Sequence, residues 1–105
     1  EQMERVFINL FTNAFDAMNA KGSLTVKVDA EGNLVRVKIS DTGRGMSNET
    51  KERIFEPFFT TKDKGTGLGL AIVFNIIKKH NGEISVESVE GKGAAFTIIL
   101  PMMRG

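Results

Sequence analysis

A chain of 105 residues is long enough to build one hydrophobic core and too short for two domains. Its 14 Lys and Arg residues nearly balance its 13 Asp and Glu residues, so net charge gives no argument for binding to nucleic acid or to an anionic membrane. The absence of cysteine excludes disulfides, and no apolar run reaches the roughly 18 residues of a membrane span. We therefore expect one soluble domain. Because the chain starts inside a helical pattern without a capping residue, we also expect a piece of a longer protein.

Hydrophobic periodicity predicts a helix, a β-hairpin, two further helices and a second hairpin, in that order. The first helix should close at Lys21-Gly22, where glycine can take the left-handed conformation, and the last should stop at Asn81-Gly82. The predicted helices cover residues 2–20, 48–54 and 66–80, and the predicted strands cover residues 24–30, 34–40, 83–89 and 94–100. Alternation in the first hairpin, which turns at residues 31–33, predicts one covered face, formed by Val26, Val28, Val35, Val37 and Ile39.

The first predicted helix is apolar nearly all round, and its polar residues form a single stripe. At about 100° per residue, this stripe consists of Asn9, Thr12, Asn13 and Asp16. One interpretation is an ordinary solvent-exposed face. The stripe lacks the long Lys and Glu side chains usual on such faces, however, and its short amides and carboxylate suit a cation. An asparagine carbonyl is a suitable ligand for a magnesium ion that takes its other ligands from nucleotide phosphates and water.

The segment DTGRG at residues 41–45 places a carboxylate between a hydrophobic strand and a glycine-rich turn. The Asp41 carboxylate can accept a hydrogen bond from the exocyclic amino group of adenine, whereas guanine presents an acceptor there, so the segment predicts preference for ATP over GTP. The alternative is an ordinary turn in which Asp41 binds its own backbone. That alternative leaves Gly45 unexplained, whereas a base packed against the chain gives a reason for both Gly43 and Gly45.

A second glycine cluster, GTGLGL at residues 65–70, opens the third predicted helix, where unsatisfied amides and the helix dipole favour phosphate. Its spacing is neither that of a Walker loop nor that of a dinucleotide fingerprint. Residues 60–65 are interpreted as a mobile lid that brings Lys62, and with it Lys64, to the phosphates; a charged surface loop is the alternative. Three aromatic residues before the lid are interpreted as a hydrophobic anchor: Phe55, Phe58 and Phe59.

These segments, in order and spacing, resemble the N box, the first glycine box, the F box and the second glycine box of the ATP-binding catalytic domain of two-component sensor histidine kinases. The matching segments are NLFTNAFDAM at 9–18, DTGRGM at 41–46, FEPFFTTK at 55–62 and GTGLGLAI at 65–72, and residues 80–101 resemble the usual end of that domain. The resemblance implies the Bergerat fold shared with DNA gyrase, an α/β (α+β) two-layer sandwich with helices on one face of a mixed β-sheet and a flexible ATP lid. Asp16 resembles the nitrogen-regulation branch of these kinases.

By this resemblance the cofactors are ATP and Mg2+, Asn13 is the magnesium ligand, and Asp41 reads the adenine. The resemblance assigns three residues to catalysis: Asn9, Asn13 and Lys62. It places the nucleotide against Asn13, Asp16, Asp41, Gly43, Gly45, Met46, Phe55, Thr61, Lys62, Gly65, Thr66, Gly67, Leu68, Gly69 and Leu70. Asn9 stands where hydrolytic relatives have a glutamate. Because an amide cannot take a proton, we expect poor hydrolysis and transfer of the phosphoryl group to another nucleophile.

The resemblance further implies a homodimeric parent protein in which an upstream dimerisation domain carries the acceptor histidine, and a response regulator that receives the phosphoryl group on aspartate. His80, the only histidine, lies at a helix end, where capping is the ordinary explanation. We expect a cytoplasmic domain without nucleic acid or direct membrane contact, in a parent that can be membrane-anchored. Three alternatives stay open: a hydrolytic ATPase of the same fold, a serine kinase acting on sigma-factor regulators, and a non-catalytic ATP-sensing or protein-interaction module.

Overall fold

The computed structural model describes residues 2–19, 21–59 and 69–101. Within these ranges the predicted order of elements is confirmed: six of the seven elements begin at the predicted residue, and all seven end within two residues of the prediction. The predicted start of the third helix, residue 66, lies outside the described residues. The elements are α1 (Gln2–Met18), β1 (Leu24–Glu31), β2 (Leu34–Asp41), α2 (Asn48–Arg53), α3 (Gly69–Lys79), β3 (Glu83–Ser88) and β4 (Ala94–Pro101). No helix in these ranges is long and apolar enough to span a bilayer.

Asparagine, rather than glycine, ends both long helices. Asn19 has a φ of 50° directly after α1, and Asn81 has a φ of 61° after α3. Asparagine tolerates this left-handed conformation because its short side chain can bind the local backbone. The predicted closure of α1 at Gly22 is therefore wrong. Gly22 lies further on, where a Cβ would come within 2.6 Å of the Thr42 hydroxyl, so its role is to permit a close approach.

The four described strands form one sheet in the order β1-β2-β4-β3, and α1 and α3 cover one face of it. The two-layer sandwich is thus confirmed. All three pairings are antiparallel, whereas a mixed sheet was expected. The reason is that β1 with β2 and β3 with β4 are hairpins, which are antiparallel by construction, and the central pair β2 and β4 also runs in opposite directions.

The core lies between the two long helices and the central strands. Its most completely buried side chains are Val6, Leu10, Ile39, Val73, Ile77 and Ile98. The predicted covered face is confirmed for Val37 and Ile39, but Val26 and Val28 are 45% and 65% exposed. Their burial was wrongly predicted because α1 packs over β2, while β1 is the edge strand beyond it.

Candidate nucleotide-binding site

Asp41, the last residue of β2, is only 9% exposed. Its Oδ1 accepts a hydrogen bond of 2.8 Å from the Gly43 amide. The simple turn considered from the sequence is therefore present, but it engages one of the two carboxylate oxygens. No hydrogen bond between described residues involves Oδ2, and its contact with a ligand stays a prediction. We call residues 41–46 the Asp41 loop.

The glycines of the Asp41 loop allow close backbone approaches. A Cβ at Gly43 would lie 2.6 Å from the Ala17 carbonyl oxygen, and the Arg44 amide donates to that same oxygen at 3.1 Å. Gly45 has a φ of +69°, and a Cβ there would collide with the Val89 carbonyl. The structure thus explains both glycines without a packed base, and their contact with a nucleotide stays a prediction.

Three backbone amides of the Asp41 loop are bound within the protein. The Gly43 amide binds the Asp41 carboxylate, the Arg44 amide binds the end of α1, and the Met46 amide binds the Ser88 hydroxyl. These three donors are already used inside the protein. The loop is therefore suited to hold a carboxylate at its start rather than to cradle phosphates.

The polar stripe of α1 divides into two parts. Thr12 and Asp16 are exposed, as a solvent face would require, whereas Asn9 and Asn13 are half-buried. The Asn9 amide Nδ2 lies 3.4 Å from the carbonyl oxygen of Gly69, to which it donates. Asn9 therefore joins α1 to the first residue of α3, and Asn13 lies one turn further along the same helix.

Two residues of α1 contact the two glycine clusters. Ala17 contacts the Asp41 loop, and Asn9 contacts Gly69 at the start of α3. Eight residues of helix separate them, which corresponds to about 12 Å. That a nucleotide lies along α1, with its base at Asp41 and its phosphates near Asn13, stays a prediction.

The predicted aromatic anchor is right for one residue and wrong for another. Phe55 packs against Phe74 and Phe96, with ring centroids 5.5 and 6.3 Å apart. Phe58, in contrast, is 75% exposed because the chain turns there with a φ of 68°. Phe59 is half-buried and packs under the guanidinium of Arg53. Phe55 alone thus anchors the segment to the core.

Several predicted site residues lie outside the described residues, and so does the predicted lid. They are Thr61, Lys62, Gly65, Thr66, Gly67 and Leu68. Met46 and Leu70 are both half-buried and pack against the core. The capping interpretation of His80 is supported, since its Nδ1 donates to the Ile76 carbonyl at 2.8 Å.

Residues 1–104 match the sequence profile of the histidine kinase-, DNA gyrase B-, and HSP90-like ATPase family. The chain belongs to this ATPase family. Its curated relatives include sensor histidine kinase ZraS of Salmonella typhi, with 46% identity over 98% of this chain and 22% of that protein. Sporulation kinase E of Bacillus subtilis is 45% identical over 96% of this chain and 14% of its own length. The ATPase domain described here thus spans about a fifth or less of these relatives.

Solved structures that resemble this chain belong to histidine kinases. The catalytic domain of histidine kinase ThkA, in a nucleotide-free form, has a TM-score of 0.86 and 38% identity, over 98% of this chain and 69% of that one. Full-length ShkA in complex with AMPPNP has a TM-score of 0.88 and 31% identity, over 99% of this chain and 22% of that one. The ATPase domain is therefore that of a histidine kinase.

Sequence reasoning missed one part of the site, the contacts that the end of β3 makes with the Asp41 loop. Ser88 is only 8% exposed and binds the Met46 amide. A signal was available, because Ser88 continues the core-facing alternation of Ile84 and Val86 in β3. A hydroxyl in an apolar alternation indicates a buried polar group with a partner.

Proposed function

We propose that this domain binds Mg-ATP along α1 and transfers the γ-phosphoryl group to a histidine on a separate dimerisation domain. The observation that carries this proposal is that α1 contacts the Asp41 loop through Ala17 and the first residue of α3 through Asn9, with Asn13 of the polar stripe between them. Membership of the ATPase family supports the nucleotide, and the histidine kinase relatives support the acceptor.

Asp41 selects the base. Its Oδ2 accepts a hydrogen bond from the exocyclic amino group of adenine, while Oδ1 stays fixed by the Gly43 amide. Guanine would place an acceptor oxygen against the carboxylate, which costs binding free energy because the buried acceptor is then left unpaired. The site therefore prefers ATP to GTP.

Asn13 holds the magnesium ion through its side-chain carbonyl, since magnesium needs only one or two protein oxygens when phosphates and water supply the rest. The half-buried position of Asn13, between Asn9 and Ala17 on the same helix, fits this role. When bound, magnesium supplies charge neutralisation for the phosphates. Lys62 is proposed to offset further negative charge as the phosphoryl group moves.

Transfer is favoured over hydrolysis because Asn9 is no base. Its amide already donates to the Gly69 carbonyl and cannot take a proton from water. The reaction breaks the bond between the γ-phosphorus and the bridging oxygen of ADP and forms a bond between that phosphorus and a nitrogen of the acceptor histidine. Positioning and charge neutralisation supply the catalysis.

The acceptor belongs to an upstream dimerisation domain of the same protein, which we propose is a homodimer, and a response regulator then receives the phosphoryl group on aspartate. We propose a cytoplasmic location for the domain, whether or not the parent is anchored in a membrane, without nucleic acid as a partner. The assignment to the nitrogen-regulation branch depends on Asp16 alone, and the curated relatives named above are a ZraS sensor kinase and a sporulation kinase.

The transfer reaction is tested with γ-labelled ATP, magnesium and a separately expressed dimerisation domain of the parent protein. We expect an acid-labile label on the dimerisation domain, and no label when its acceptor histidine is replaced by alanine. Release of free phosphate at the same rate without the acceptor would support the hydrolytic alternative instead. An acid-stable label would indicate a serine kinase, and no reaction despite bound ATP would indicate a sensing module.

A further inference from the structure

Ser88 lies in the same row of the sheet as Asp41, two strands away. Asp41 of β2 pairs with Ala94 of β4, and Ala94 pairs in turn with Ser88 of β3. Directly paired residues point to the same face of a sheet, so Asp41 and Ser88 are both on the helix-covered side. Both are nearly buried, at 9% and 8% exposure. Two polar groups therefore share the end of an otherwise apolar face.

The Ser88 hydroxyl is fully used in a chain of hydrogen bonds. Its Oγ accepts from the Met46 amide at 2.8 Å and donates to the Gly93 carbonyl at 2.7 Å. The Ser88 carbonyl accepts a bond of 2.9 Å from the Lys51 ammonium of α2. One residue thus connects the last position of the Asp41 loop, the turn between β3 and β4, and the helix that follows the loop.

The β3–β4 turn, residues 89–93, forms a wall along the Asp41 loop. The Gly91 amide donates to the Arg44 carbonyl at 2.6 Å. Gly45 leaves no room for a Cβ beside Val89, and Gly93, with a φ of +95°, leaves none beside the Asp41 carbonyl. These contacts hold the start and middle of the Asp41 loop, and the Ser88 hydroxyl holds its last residue, Met46.

We propose that Ser88 is a positioning residue for adenine recognition, which acts by holding the Asp41 loop so that the second carboxylate oxygen of Asp41, Oδ2, faces the base. This inference rests on the proposed role of Asp41 in binding ATP. Without the hydroxyl, the Met46 amide and the Gly93 carbonyl lose their partner, and the far end of the loop loses the hydrogen bond that ties it to β3. The consequence is lost discrimination at the base rather than lost phosphate binding.

The test compares the affinities of ATP and inosine triphosphate, measured by calorimetry with magnesium, in the parent protein. Inosine triphosphate carries an acceptor oxygen in place of the amino group of adenine. In the Ser88→Ala variant we expect the preference for ATP over inosine triphosphate to fall by on the order of tenfold. The substitution removes a buried hydroxyl that holds the Asp41 loop by a hydrogen bond. Ser88→Thr keeps the hydroxyl and should keep the preference, and Ser85→Ala, at an exposed serine of β3, should leave it unchanged.

A merely structural role gives a different result, since it lowers the affinities of both nucleotides by the same factor. An unchanged preference in Ser88→Ala would overturn the inference. If that variant does not fold, Ser88→Cys carries the same expectation, because a thiol is a much weaker donor and acceptor. Asp41→Ala separates the two proposals. If both Asp41→Ala and Ser88→Ala keep the preference for ATP, the proposed recognition of adenine by Asp41 is wrong. If Asp41→Ala loses the preference and Ser88→Ala keeps it, only the proposed role of Ser88 is wrong.

Discussion

Replacing Asp41 with alanine is expected to weaken ATP binding about ten- to a hundredfold, or roughly 1.5–3 kcal/mol. The variant loses a hydrogen bond from the base to a charged, nearly buried oxygen. It also frees the Gly43 amide, which Oδ1 holds at 2.8 Å. Calorimetric titration with ATP and magnesium measures the change directly. Unchanged affinity would contradict the role of Asp41 in reading the base.

Asp41→Asn gives a sharper version of this test. The amide oxygen of asparagine can still accept from Gly43, while its NH2 group would face the amino group of adenine. Two donors then oppose each other, so ATP should bind weakly and inosine triphosphate, with an acceptor at that position, should bind better than ATP. The matched control is Asp29→Ala on β1. Asp29 is exposed and lies 3.9 Å from Arg36, a surface pair of little energetic weight, so ATP affinity should not change.

Asn13→Ala should remove the magnesium-dependent part of nucleotide binding and slow phosphoryl transfer by at least about a hundredfold. The reason is that a bound metal stabilises the developing charge of the transition state by several kcal/mol, and the variant lacks the protein oxygen that holds the metal. Titrations of ADP with and without magnesium, together with single-turnover transfer rates, measure both effects. Asn13→Asp keeps an oxygen ligand and should retain the dependence on magnesium.

Asn75→Ala is the control for this substitution, since Asn75 is an exposed amide on α3, away from the polar stripe of α1. It should leave both the magnesium dependence and the transfer rate unchanged. If the unsubstituted domain bound ADP equally well with and without magnesium, or if Asn13→Ala kept the full difference, Asn13 would not be the ligand.

The sequence was sufficient for elements whose periodicity is local. α1, α3 and both hairpins follow from 3.6- and 2-residue patterns, and the turn at Gly32, with a φ of 60°, follows from residue type. Burial across elements was less predictable. Val28 has the same alternation as Val37, yet only Val37 is covered, because coverage depends on where α1 lies over the sheet.

For the site, the sequence could place Asp41 at a strand end and Asn9 and Asn13 on one helix stripe. It could not show that backbone amides of the Asp41 loop donate hydrogen bonds to α1 and to Ser88, because those contacts join residues up to 42 positions apart. The exposure of Phe58 was not predictable either: the residue is apolar, yet its side chain is exposed where the backbone turns with a positive φ.

The proposed function depends most directly on where the adenine base lies. A crystal structure of the domain with magnesium and a non-hydrolysable ATP analogue tests this in one measurement. We predict that the exocyclic amino nitrogen of adenine lies within hydrogen-bonding distance of Asp41 Oδ2, and that the phosphates extend along α1 past Asn13. A base bound elsewhere, or an Asp41 carboxylate that contacts only Gly43 in the complex, would contradict it.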